Sequence, residues 1–139
     1  MTPLLTNIGL FATAILLGSM VFFSVVMAPL IFTKLDAEIA GSFIRQVFPW
    51  YYLAVISLST LAALSLVSSR LIDALVLAAV AVAAVITRQV LMPRINLARD
   101  GVLAGDPSAG RRFSRLHKLS VWINAVQIIA IAIVLARFI

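Results

Sequence analysis

Apolar residues along the chain gather into four long runs separated by shorter, more polar stretches. The runs cover about residues 7–32, 50–68, 72–92 and 119–138. A bilayer hydrocarbon core of about 30 Å is crossed by about 20 residues of helix, and each run is of that order. No run alternates with a period of two, and all are long for membrane strands. The pattern predicts an all-α fold, an integral membrane four-helix bundle formed as one domain over residues 1–139.

The connections differ in character. Between the first two runs, residues 34–48 place Ile39, Phe43 and Val47 at helical spacing among Asp36, Glu38, Arg45 and Gln46. That is the pattern of an amphipathic helix lying in the interface plane, expected over about 36–48. Pro49 should end it, and Trp50, Tyr51 and Tyr52 should follow as an aromatic anchor at headgroup level. The second connection, at Ser69 and Arg70, is a tight hairpin, with Asp73 in the first turn of the third span. The third connection is the longest and most polar. Pro93 should stop the third helix within about a turn. Asp106 and Pro107 should open the fourth, as cap and first helical residue.

Composition supports lipid as the solvent. Of the 139 residues, 63% are hydrophobic and 12% charged, and mean hydropathy is +1.15. A soluble domain is about half apolar and about a quarter charged. The net charge of +6 would raise nucleic acid as a partner for a soluble protein. Here the cations flank hydrophobic runs, so they imply anionic headgroups rather than nucleic acid. Lys34, Arg45, Arg94, Arg99, Arg111, Arg112, Arg115 and Lys118 belong to the first and third connections, against Arg70 and Arg137 on the other side. The positive-inside rule then puts the long connections in the cytoplasm and both termini outside, as in a bacterial inner membrane. No cleavable signal peptide is evident. Arg94, Arg111, Arg112, Arg115 and Lys118, with Trp50 and Tyr51, are the expected lipid and interface contacts.

Inside a bilayer, helices associate by close packing rather than by hydrophobicity. Small residues supply it: Gly18 in the first span, Ser57, Ser59, Ala62 and Ala63 in the second, and Ala74, Ala78, Ala81 and Ala84 among others in the third. The same residues could form a seam between two copies of the chain.

Few residues could carry chemistry. There is no cysteine, so neither a disulfide nor a thiolate site can form. The five carboxylates, Asp36, Glu38, Asp73, Asp100 and Asp106, fall near helix ends or in loops. No paired carboxylates, phosphate loop or nucleophile triad is visible. Arg88 lies about a turn inside the third span, where an arginine must either pair or snorkel to the interface. On the fourth span His117, Ser120, Asn124 and Gln127 recur at offsets of three, seven and ten residues and share one face. Amides facing hydrocarbon need partners, so the face should turn inward. It reads either as interhelical hydrogen-bond glue or as the wall of a pocket built from His117, Asn124, Gln127 and Arg88.

Three stretches also carry a resemblance. They are Ala28-Pro29 through Phe48-Pro49-Trp50-Tyr51; Leu91-Met92-Pro93-Arg94-Ile95-Asn96; and Phe113 through Leu116-His117-Lys118-Leu119-Ser120 and Asn124. The chain resembles the bacterial domain of unknown function 4149 and is similar to the eukaryotic transmembrane protein 205 family. The resemblance implies four spans and assigns no chemistry. A more remote likeness runs to four-helix membrane proteins of the copper-resistance D type and the haem-dependent protoporphyrinogen oxidase type. Those place a histidine on the first helix, where this chain has none.

The sequence therefore reads as a small multi-pass inner-membrane protein, acting through lipid or protein partners, as a homo-oligomer or within a larger complex. It leans away from an enzyme. One alternative is a haem- or metal-binding protein using His117, although haem is not the favoured cofactor. The other is a small oligomeric transporter or channel.

Overall fold

Long stretches of Ala, Leu, Ile and Val give the chain no alternative within lipid to satisfying its backbone internally, and they do so as helices. The computed structural model describes residues 2–139. Helix α1 comprises Thr2–Phe22, a wide π turn Phe23–Met27, and Ala28–Lys34. Helix α2 is Ala37–Leu66. Helix α3 comprises Leu71–Ile86, a second π turn Thr87–Leu91, and Met92–Leu103. Helix α4 is Ala109–Ala136. All four are long and apolar enough to cross a membrane, and no strand occurs among the described residues. The protein is an all-α, four-span membrane bundle.

The helices run further than the sequence pattern suggests. The 30 residues of α2 extend about 45 Å at about 1.5 Å per residue, against a hydrocarbon core of about 30 Å. The surplus gathers at the basic end of the bundle and accounts for two corrections. The amphipathic segment is helical from Ala37, but Pro49 does not end it; the helix continues through Pro49 into the second span. Ala40 and Ile44 bury against Ile31 of α1, while Ile39 and Phe43 stay exposed. Pro93 likewise does not stop the third helix, which continues to Leu103. The expected long polar connection is thus mostly helix, and only residues 104–108 link α3 to α4.

Both π turns end two residues before a proline, at Pro29 and Pro93. Proline lacks an N–H and crowds the carbonyl four residues back. A wide turn just ahead of it shifts the bonding register: the N–H of Ala28 reaches the carbonyl of Phe23, and that of Met92 reaches Thr87. Helix α3 closes with Gly105 at φ 82°, the left-handed conformation that suits glycine at a helix end. The Asp106 N–H then returns to the Gly101 carbonyl at 2.9 Å. Asp106 does help to open the fourth helix, but through Ser108, which stands in the cap position. The Asp106 Oδ1 accepts the N–H and the hydroxyl of Ser108, both at 2.8 Å, and α4 begins at Ala109 rather than at Pro107. Those two bonds hold the Asp106 carboxyl below its ordinary pKa.

Small residues let α2 and α3 approach closely. Ser59, Ala62 and Ala63 are buried on α2, and Ala74, Ala81 and Ala84 on α3, with Leu66 and Leu77 filling the space between. Gly18 takes no part: a β-carbon there would meet nothing within 4 Å. Gly9 is the close-packing glycine of α1, since a β-carbon on it would lie 2.6 Å from the Leu66 side chain.

At the end opposite the basic overhang, Asp73 is 2% exposed. Arg70 Nε lies 2.7 Å from its Oδ2 and Arg137 Nε 2.9 Å from its Oδ1. Arg70 also donates to the Arg137 carbonyl at 2.6 Å and covers the Phe138 ring. One carboxylate therefore ties the end of α4 to the α2–α3 hairpin.

Candidate functional site

The polar face of α4 turns inward over Asn124 and Gln127. The Gln127 amide donates to the Val80 carbonyl of α3 at 3.1 Å and is buried. Asn124 meets two other helices: its Oδ1 accepts the Tyr51 hydroxyl of α2 at 2.6 Å, and its Nδ2 donates to Ser24 Oγ of α1 at 2.8 Å. Ser24 can reach it because it sits in the π turn, where the backbone is widened. Such turns recur at functional positions in other helices. Tyr51, Asn124 and Ser24 thus form a continuous hydrogen-bonded relay across three helices.

This relay forms part of the wall of a cleft of about 310 Å³. The cleft exists because α1 changes partners. Its segment before the π turn packs on both α2 and α4, whereas Ala28–Lys34 packs chiefly on α2. Toward the basic end α1 and α4 therefore separate. Aromatic rings line the α1–α2 side. Phe23 stacks on Tyr51 with centroids 4.6 Å apart, and Phe48 meets the edge of Phe23 at 5.7 Å. His117 and Val121 supply the α4 side, and both are exposed, so the cleft opens along that helix. The His117 ring lies parallel to that of Phe113 at 5.8 Å. The result is a mostly apolar space with one amide, an imidazole and the hydroxyl-bearing Ser24, Tyr51, Tyr52 and Ser120 on its walls, the usual composition of a site for a small apolar ligand.

Of the four residues expected to form a pocket, the structure brings His117 and Asn124 to the cleft. Gln127 serves as interhelical glue instead. Arg88 lies in the second π turn and donates to the Pro49 carbonyl at 3.2 Å, away from the cleft. It therefore pairs across helices rather than simply snorkelling.

The expected aromatic anchor divides. Trp50 is 72% exposed, but Tyr52 is buried and Tyr51 lines the cleft. Successive helical residues are about 100° apart, so three in a row cannot share one outward face. Arg94, Arg111, Arg112, Arg115 and Lys118 are all exposed on the overhanging helices. Sequence reasoning missed Ser24 and Phe23. Their signal was Pro29, five and six residues ahead of them, which marks the widened turn. Among the described residues no cluster of three or more His, Cys, Asp or Glu could hold a metal ion.

A family model, a domain of unknown function (DUF4149), matches residues 11–101. The chain belongs to that family. The match spans the first three helices and so includes Ser24, Phe48 and Tyr51 but stops short of His117 and Asn124. Neither the comparison with curated proteins nor that with solved structures gives a match.

Proposed function

We propose that this small multi-pass membrane protein binds a lipophilic molecule, such as a membrane lipid, in the cleft between α1, α2 and α4. The observation that carries the reading is the apolar space of about 310 Å³ walled by the Tyr51–Asn124–Ser24 relay. Glue between helices needs no empty volume beside it, and close packing is the rule in protein interiors. The partner is lipid rather than nucleic acid. The chain resides in the bacterial inner membrane with the basic end in the cytoplasm. The eight cations of that end support this orientation, as does the pairing of Arg70 and Arg137 with Asp73 at the other.

The test is native mass spectrometry of protein extracted in mild detergent. A lipophile should co-purify with the wild type and be lost from Ala28→Phe, which fills the cleft from its α1 wall. Equal retention by Ala28→Phe and wild type would count against the cleft as the site. A Soret band in the purified protein would instead assign His117 to haem ligation.

A further inference from the structure

The cleft does not end at His117. Phe32, Phe48, His117 and Ser120 also border a second, smaller space of about 60 Å³ at the basic end. That space reaches Arg45 of α2 and Arg99 of α3. The two guanidiniums differ in what they already hold. Arg45 is neutralised by Asp100, with Nη2 2.6 Å from Oδ1, and it also donates to the Asn96 carbonyl. Arg99 has only a neutral acceptor, the Ala37 carbonyl at 3.2 Å. No carboxylate lies within 4.0 Å of it among the described residues. The guanidinium lies against Gly41, where any β-carbon would overlap it. Glycine at this position of α2 is what lets the cation lie at the mouth of the smaller space.

A half-buried guanidinium without a counter-ion favours an anion, and its planar fork matches a carboxylate or phosphate. The two spaces together are amphipathic: apolar and aromatic on one side of the His117 neck, cationic on the other. We infer that the occupant is an amphiphile with one small anionic headgroup. Its apolar chain lies in the larger space, and its carboxylate or phosphate meets Arg99 in the smaller one. The smaller space accommodates a group of that size and not a bulky headgroup. This inference rests on the lipophile reading of the cleft and adds the charge and the residue that reads it.

The test uses the full chain in nanodiscs of zwitterionic lipid. A diazirine-bearing fatty acid is crosslinked and its adducts are mapped by mass spectrometry, with unlabelled competitors. Labelling should fall on the cleft. Palmitic acid should compete at least tenfold better than its methyl ester, whose chain is the same and whose charge is gone. Arg99→Gln should erase that preference, whereas Arg94→Gln, an exposed cation outside both spaces, should keep it. Phosphatidic acid run beside palmitic acid identifies the source of the headgroup: the stronger competitor names it. Cleft labelling with equal competition by acid and ester overturns the anionic headgroup and leaves the lipophile reading standing. Absence of cleft labelling by any probe overturns both. The acid-to-ester ratio is read on the wild type, so the outcome does not depend on the folding of a variant.

Discussion

At the scale of single residues, Asn124 bears the most on the proposed site. Its amide satisfies Tyr51 and Ser24 at once. An amide facing hydrocarbon without partners would cost several kcal/mol, yet interhelical bonds in lipid recover only about 0.6–2 kcal/mol net. Tyr51→Phe and Asn124→Leu should therefore each lower stability by about 1 kcal/mol. In a double-mutant cycle their losses should be less than additive, because each removes the same bond. Thermal unfolding in detergent measures this, and full additivity would show that the bond contributes nothing. The two variants should also lose the bound lipophile, whereas Gln127→Leu, which removes glue outside the cleft, should keep it. Asp73 offers a contrast of pure structure. Asp73→Asn leaves two arginines without their carboxylate and should cost roughly 1–3 kcal/mol. That is less than for a fully buried pair, since Arg137 is half exposed. Ligand retention should not change.

The helices raise a different question, namely which small residues permit close approach. Residue type alone does not answer it, because Gly9 and Gly18 look equivalent in the sequence. A β-carbon on Gly9 would lie 2.6 Å from Leu66, whereas one on Gly18 would meet nothing within 4 Å. Gly9→Val should thus overpack the α1–α2 contact and cost about 1–3 kcal/mol, while Gly18→Ala should stay within about 0.5 kcal/mol of wild type. A comparable loss at both glycines, measured by thermal unfolding, would contradict the packing of α1. This difference also marks where sequence reading reached its limit. Hydropathy over twenty-residue windows located all four spans, because lipid leaves the backbone so few options. Helix ends were less visible. Pro49 and Pro93 look like stops when read locally, yet both lie inside continuous helices, Pro93 just past a π turn that shifts the bonding register. The amphipathic stretch before Pro49 was legible as a helix; its continuity with the second span was not.

For the molecule as a whole, the site was half legible for the same reason. Periodicity on α4 placed Asn124 and Gln127 inward, but only the packing of α1 decides which of them borders empty space. The basic overhang has the same dual character, for it is obvious as charge and invisible as shape. Eight cations cluster at that end, on helices that outrun the bilayer by about 15 Å in α2 at about 1.5 Å per residue. At the other end, Arg70 and Arg137 share Asp73. Moving the basic end across the membrane would require translocating all eight, whereas the opposite end presents two arginines already held by one carboxylate. The cysteine-free chain allows a direct measurement. Single cysteines at Ser68, in the α2–α3 turn, and at Ala104, in the α3–α4 turn, are both exposed. In intact spheroplasts a membrane-impermeant maleimide should label the Ser68→Cys variant and spare Ala104→Cys. Permeabilisation should make both react. Labelling of Ala104→Cys before permeabilisation would reverse the orientation. It would also place the Arg99 mouth of the cleft on the outer leaflet, where the amphiphile would have to enter from the opposite side.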